Sequence, residues 1–164
     1  MNYAAIKTTD VANGTGVRVS LFVSGCRRHC KGCFNSETWD FNFGNLFDDK
    51  AMQEILTALD HDYIEGFSLL GGEPFEPENR EEVKRILNEV RGRFPNKTIW
   101  CYTGNRYENL IDDARDIIEL LDVMIDGEFV EEKKNLRLKF RGSENQRIID
   151  VKKSLESGCV IEME

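Results

Sequence analysis

Val17-Arg-Val-Ser-Leu-Phe-Val-Ser-Gly-Cys26-Arg-Arg-His-Cys30-Lys-Gly-Cys33-Phe-Asn35 reads as a strand running into a cysteine loop. Val17 to Ser24 is β-branched and apolar, which predicts a strand. Cys26, Cys30 and Cys33 follow it at C-x3-C-x2-C spacing. Three thiolates can hold three irons of a four-iron cluster, where a fully ligated cluster takes four. One iron is then left without a protein ligand, open to a small molecule that it can supply with an electron. Cys26, His29, Cys30 and Cys33 also offer a Cys3His zinc set, which would make the chain a non-catalytic zinc or electron-transfer module. His29 and Cys30 are adjacent, however, and structural zinc sites more often use two separated ligand pairs. Three buried structural cysteines are a further reading, but the interleaved arginines, lysine and glycines make poor core material.

Outward from this stretch, strands and helices alternate. Asp48–His61 places Met52, Ile55, Leu56 and Leu59 on one helical face, with Asp48 or Asp49 as N-cap. Gly66–Leu70 is a short buried strand ending in Gly71-Gly72-Glu73-Pro74. Glu78–Phe94 repeats the helical spacing at Val83, Ile86, Leu87 and Val90. Thr98–Tyr102 is a third strand, closed by Thr103-Gly104. Tyr107–Leu121 reads as one helix with Leu110, Ile111, Ala114, Ile117, Ile118 and Leu121 on a stripe. Asp122–Ile125 is a fourth strand before Asp126-Gly127, Leu136–Phe140 a fifth, and Val160–Met163 a short sixth. This order implies an α/β fold with a mainly parallel sheet. A full eight-unit barrel takes about 250 residues. The chain has 164, so a partial, open β/α barrel is expected, as a single domain over 1–164. In such folds ligands sit at the carboxyl ends of strands. The cysteine loop and the three glycine-bearing turns should therefore share one rim.

Net charge is −8, which argues against nucleic acid as the main partner. Residues 1–33 carry five cations and one acid, a net of +4, so the remainder stands at −12. The basic end coincides with the cysteines, where cations would favour thiolates. Five cysteines are too few for a disulfide framework. Met1 to Lys7 lacks the charged start and apolar stretch of a signal peptide, and no apolar run is long enough to span a bilayer. A cytoplasmic protein without a membrane partner is expected.

Cys26-x3-Cys30-x2-Cys33 after a first strand, with Gly71-Gly72-Glu73 after the second, resembles the radical S-adenosylmethionine superfamily. Asn13-Gly-Thr-Gly-Val-Arg18, Leu21-Phe-Val-Ser-Gly-Cys26 and Cys33-Phe-Asn35 resemble the activating enzymes of glycyl-radical proteins. Thr38-Trp39, Trp100-Cys-Tyr-Thr-Gly104, Asp122-Val-Met-Ile-Asp-Gly127 and Arg141-Gly-Ser-Glu-Asn-Gln146 are similar to the branch serving anaerobic ribonucleoside-triphosphate reductase. The likeness covers roughly residues 1–147. The family usually has proline where Thr15 stands. Many superfamily members have an aromatic residue where Gly32 stands, and others of the branch often have aspartate in place of Glu73.

The resemblance implies a radical-type partial barrel and an oxidoreductase. Cys26, Cys30 and Cys33 would hold a [4Fe–4S] cluster with one iron lacking a cysteine ligand. S-adenosylmethionine would chelate that iron. Glu73 and the Gly71-Gly72 backbone would hold its ammonium end, and the backbone of Gly32, Cys33 and Phe34 its adenine. Reductive cleavage would give a 5′-deoxyadenosyl radical, which installs a glycyl radical on the large subunit of the reductase. Flavodoxin or a similar low-potential donor would be the reductant. No side chain is singled out as a catalytic acid, base or nucleophile. The alternatives within this chemistry are another glycyl-radical enzyme or a small molecule as substrate.

Overall fold

The structure, a computed structural model, describes residues 1–163. Strand β1 (Asn2–Asp10) pairs antiparallel with β2 (Val17–Val23), and β3 (Asn45–Leu46) caps the free side of β1. Helix α1 (Asp49–Leu59) follows; its N-cap is Asp48, which accepts from the Ala51 N–H at 2.9 Å. Then come β4 (Ile64–Gly71), α2 (Pro77–Arg93), β5 (Thr98–Tyr102), α3 (Tyr107–Leu110), α4 (Arg115–Ile118), β6 (Val123–Asp126), β7 (Arg147–Asp150) and α5 (Val151–Ser157). Pro77 opens α2, where its fixed φ suits a first helical turn and its missing N–H costs nothing. No described helix is long and apolar enough to cross a membrane.

The sheet has seven strands in the order β3-β1-β2-β4-β5-β6-β7. The centre is parallel through β2, β4, β5 and β6, while β1, β3 and β7 run antiparallel at the edges. The architecture is therefore α/β on a mixed sheet, and "mainly parallel" holds for its middle.

Three expectations change. Leu136–Phe140 is not a strand; it is an irregular loop whose alternating pattern comes from Leu136 pointing to solvent and Phe140 packing on Trp100. The edge strand is β7, seven residues further on. Val160–Met163 adds one isolated bridge, Ile149 to Glu162. The Tyr107–Leu121 helix is broken into α3 and α4, because Ala114 leaves helical geometry at φ −127°. Its stripe is still buried, since Leu110, Ala114, Ile117, Ile118 and Leu121 all enter the core. Periodicity reported burial there, not continuous hydrogen bonding.

The alternation of strand side chains divides the sheet into two faces. Val19, Leu21 and Val23 share one face with Phe67, Leu69, Ile99, Cys101 and Met124, in the same core as the apolar stripes of α1 and α2. The other face carries Arg18, Ser20, Phe22, Ser68, Leu70, Trp100, Tyr102 and Ile125 in register. Of these, Phe22, Leu70, Tyr102 and Ile125 line a cavity.

Arg18 closes the far end of that face. It is fully buried and donates to Ser68 Oγ (2.8 Å), Thr98 Oγ1 (2.9 Å) and the carbonyls of Thr15, Phe67 and Thr98. Its guanidinium also lies over Trp100, 5.4 Å from the ring centre. Burial pulls its pKa down to about 10. It makes no ion pair among the described residues, so hydrogen bonds carry the cost of dehydrating the charge. Arg18→Met strands the buried Phe67 and Thr98 carbonyls. The expected loss is about 3 kcal/mol of unfolding free energy, read by denaturant titration.

Candidate functional site

Because β2, β4, β5 and β6 are parallel, their carboxyl ends fall on one edge of the sheet. The loops leaving them line a single cavity of about 530 Å³. β2 delivers Cys26, Cys30 and Cys33; β4 delivers Gly71, Gly72 and Glu73; β5 delivers Thr103 and Gly104; β6 delivers Gly127. The rim expected from the sequence is the rim observed. Cys33 and Phe34 line the cavity, while Gly32 stands behind it in a φ +76° turn against the Glu131 side chain.

Backbone hydrogen bonds fix the cysteine loop. Gly25 N–H donates to the Thr38 carbonyl (2.7 Å), Cys26 N–H to Trp39 (3.1 Å) and Cys33 N–H to Cys30 (3.1 Å). Cys33 Sγ accepts from the Asn35 N–H at 3.4 Å, while the backbone amides of Arg28 and His29 favour the Cys26 thiolate and that of Phe129 the Cys30 thiolate. All three thiols are free and half-buried. N–H donors aimed at sulfurs are among the means by which proteins set the potential of an iron–sulfur cluster.

The basic residues of the loop do not face the sulfurs as the charge pattern suggested. Arg27 pairs with Glu76 and Glu78, Arg28 with Glu128, and Lys31 with Glu131. With those cations occupied, burial dominates. It raises the Cys26 thiol and pushes Cys30 up to about 11, with Glu128 adding to the rise. Thiols in this state lose their protons when a metal provides the compensating charge. His29 stacks on Trp39 at 4.4 Å and 13°. Among the described residues no three His, Cys, Asp or Glu side chains gather around a single-ion position.

Glu73 forms the opposite wall. It is 4 % exposed, and its carboxylate accepts from Phe75 N–H (3.0 Å), Thr103 Oγ (2.8 Å) and Gly104 N–H (2.8 Å). A carboxylate has about four acceptor positions. One remains on the oxygen facing Gly104, enough for one further donor. Burial outweighs the three donors and raises the carboxyl above its ordinary value. The turn is tied to the cysteine loop by Gly72 N–H to the Val23 carbonyl and Glu73 N–H to Gly25, each 2.8 Å. Asn79 reinforces it, donating to the carbonyls of Ser24 and Glu73 at 3.0 Å each.

This closeness explains Gly71. Its φ is +115°, and a Cβ there would lie 2.5 Å from both the nitrogen and the oxygen of Val23. Gly71→Ala forces β2 and β4 apart beneath both loops. The expected loss is at least 2 kcal/mol, roughly the left-handed backbone strain alone, seen as a lower melting temperature.

Several polar atoms on the cavity wall were not legible in the sequence. Arg28 Nε, Trp39 Nε1, Tyr102 Oη and Arg141 Nε are buried without a hydrogen-bond partner. All four belong to residues lining the cavity. Orphaned polar atoms in a native interior call for a missing partner, and four around one cavity suit a polar ligand. The Arg141–Gln146 stretch is a clip: Gln146 Oε1 accepts from Gly142 and Ser143 N–H (2.8 and 3.1 Å), and its amide donates to the Gly127 carbonyl (3.1 Å). Ser143 Oγ accepts from the Val130 N–H at 3.2 Å.

Residues 12–149 match the family described as "4Fe-4S single cluster domain". The chain is similar to proteins named anaerobic ribonucleoside-triphosphate reductase-activating protein. It is 42 % identical to the one from Enterobacteria phage T4 over 150 residues, covering 90 % of this chain and 93 % of that one. It is 42 % identical to that of Haemophilus influenzae, covering 90 % and 97 %, and 37 % identical to that of Escherichia coli K12, covering 89 % and 96 %.

Proposed function

The chain belongs to the family of anaerobic ribonucleoside-triphosphate reductase-activating proteins, and from that membership we propose that it is the radical S-adenosylmethionine activase of that reductase. One observation carries the proposal. Three free thiols on the loop after β2 open into the same cavity as a buried carboxylate with one acceptor position left. That supports a cluster on one wall and a cationic group held by the other.

Cys26, Cys30 and Cys33 would hold a [4Fe–4S] cluster, and Glu73 with the Gly71-Gly72 turn would hold the ammonium end of S-adenosylmethionine. When bound, these groups supply one-electron reductive cleavage to methionine and a hydrogen-abstracting 5′-deoxyadenosyl group. The electron would come from a low-potential donor of the flavodoxin kind and the hydrogen from a glycine Cα of the large reductase subunit, leaving methionine, 5′-deoxyadenosine and a glycyl radical.

The chain's own residues orient and exclude. Backbone N–H groups of Arg28, His29, Phe129 and Asn35 hold charge on the sulfurs. The backbone of Cys33 and Phe34, with the Gly32 turn behind it, would border the adenine. Thr103 and Gly104 fix the Glu73 carboxylate. Tyr102 is kept protonated by burial, so its unpartnered hydroxyl is a neutral donor on the cavity floor. Phe22, Leu70 and Ile125 keep that floor apolar. We read the open sheet as the partial β/α barrel of this superfamily, the whole chain as one domain, and the reducing cytosol as its place of work.

The test is anaerobic reconstitution with iron and sulfide, then reduction in the presence of S-adenosylmethionine. Formation of 5′-deoxyadenosine supports the reading. Retention of zinc alone, with no cleavage under reduction, overturns it.

A further inference from the structure

Lys133 to Arg141 (Lys-Lys-Asn-Leu-Arg-Leu-Lys-Phe-Arg) holds five cations and no acid, in a chain of net charge −8. The segment is an irregular loop pinned at both ends. Glu144 N–H donates to the Lys133 carbonyl (2.9 Å) and Asn135 N–H to Gly142 (3.2 Å), and Phe140 packs edge-on against Trp100 at 5.2 Å. Its tip, Leu136, is 84 % exposed, and Leu136 and Leu138 line the cavity where it opens to solvent.

The charges of this loop are uncompensated. Among the described residues none of Lys133, Lys134, Arg137, Lys139 and Arg141 makes an ion pair, whereas the cations of the cysteine loop all do. Lys134 rests over Phe34, 5.3 Å from the ring centre. Five like charges on nine residues repel one another, and an acidic surface laid across them removes that cost while steering encounter. Carboxylates pair with the cations, and an apolar side chain covers Leu136.

We propose that the 133–141 loop is the docking surface for the glycine-bearing reductase subunit, which presents there an acidic segment with an apolar residue among its carboxylates. The proposal rests on the function proposed above. The occupant follows from position: what docks on this loop is delivered to the mouth of the cavity, as a glycine Cα requires. An electron donor needs only to come near the cluster and need not enter.

The experiment compares the reconstituted protein with R137E/K139E and with K50E/K153E, which makes the same charge change on α1 and α5. Two quantities are measured: association with the purified large reductase subunit across ionic strength, and 5′-deoxyadenosine formation without that subunit. The expected result is an association rate about tenfold lower for R137E/K139E at low salt, closing as salt screens the charges. K50E/K153E should stay near wild type, and partner-free cleavage should be the same in all three. Equal association for the three proteins overturns the proposal. Absence of both cleavage and reductase binding in the wild-type protein would instead be failure of the functional reading beneath it.

Discussion

Replacing any one of Cys26, Cys30 or Cys33 with alanine leaves a folded protein that no longer keeps an iron–sulfur cluster. The three thiols sit on a loop outside the core, held by backbone bonds that the substitution does not touch. Far-UV circular dichroism and melting temperature should therefore stay near wild type. The visible absorbance and EPR signal of the reconstituted cluster should be lost. Even partners behind a metal ligand are worth 10–100-fold, so losing a ligand itself should lower activity by at least about 100-fold. The remaining cysteines are internal controls. Cys101 is fully buried on the helix-covered face of β5, and Cys159 is exposed after α5. Cys101→Ala and Cys159→Ser should both keep the cluster, the first losing about 1 kcal/mol of stability for its small core void.

Glu73→Ala should be the most damaging change outside the cysteines, and for two separable reasons. It strands the Phe75 N–H, the Thr103 hydroxyl and the Gly104 N–H in a buried place. The expected cost is about 3 kcal/mol of folding stability. It also removes the one acidic group in the cavity wall facing the cysteines. Glu73→Gln separates the two effects by keeping the shape and discarding the charge. Burial raises the Glu73 carboxyl, so the folded chain holds that proton more tightly than the unfolded one. The stability linked to this proton is complete below the ordinary carboxylate value of about 4.3. It is lost as pH rises through the higher folded value. A bound ammonium group beside this buried carboxyl favours its ionised form. S-adenosylhomocysteine, which has the same ammonium end, should raise the melting temperature of the wild type well above its effect on Glu73→Gln. A loss of at least about 2 kcal/mol in binding, roughly 30-fold, is expected for Gln. Equal shifts in the two proteins would remove Glu73 from the ammonium site.

Local patterns carried much of the fold and only part of the site. Thr98–Tyr102 matches β5 to the residue, and the N-cap of α1 is Asp48, one of the two positions, Asp48 or Asp49, that the sequence offered, because both signals are complete within a few residues. β1 went unread, since Asn2-Tyr-Ala-Ala-Ile-Lys-Thr-Thr-Asp10 is half-exposed and weakly patterned. It is a strand because β2 offers it a long antiparallel partner. The reverse error at Leu136–Phe140 has the same root: alternation suits a strand, but no neighbour is there to pair with it. In the candidate site, the placing of the cysteine loop and the Glu73 turn on one rim was legible from their positions after successive strands. The grip of Thr103 and Gly104 on Glu73, thirty residues away in sequence, was not. Nor were the four orphaned donors, which exist only once β5, the cysteine loop and the Arg141 clip surround one space. The positive charge of residues 1–33 was read correctly as composition and wrongly as environment, because Arg27, Arg28 and Lys31 are paired with Glu76, Glu78, Glu128 and Glu131.

The most direct test follows one hydrogen. The large reductase subunit is prepared with glycine deuterated at Cα and mixed anaerobically with the reconstituted protein, S-adenosylmethionine and a low-potential reductant. The recovered 5′-deoxyadenosine is then weighed by mass spectrometry. One deuterium gained in that product, only when the labelled subunit is present, is the predicted result. Unlabelled 5′-deoxyadenosine formed at the same rate with the labelled subunit present would contradict it, since the abstracted hydrogen would then come from elsewhere.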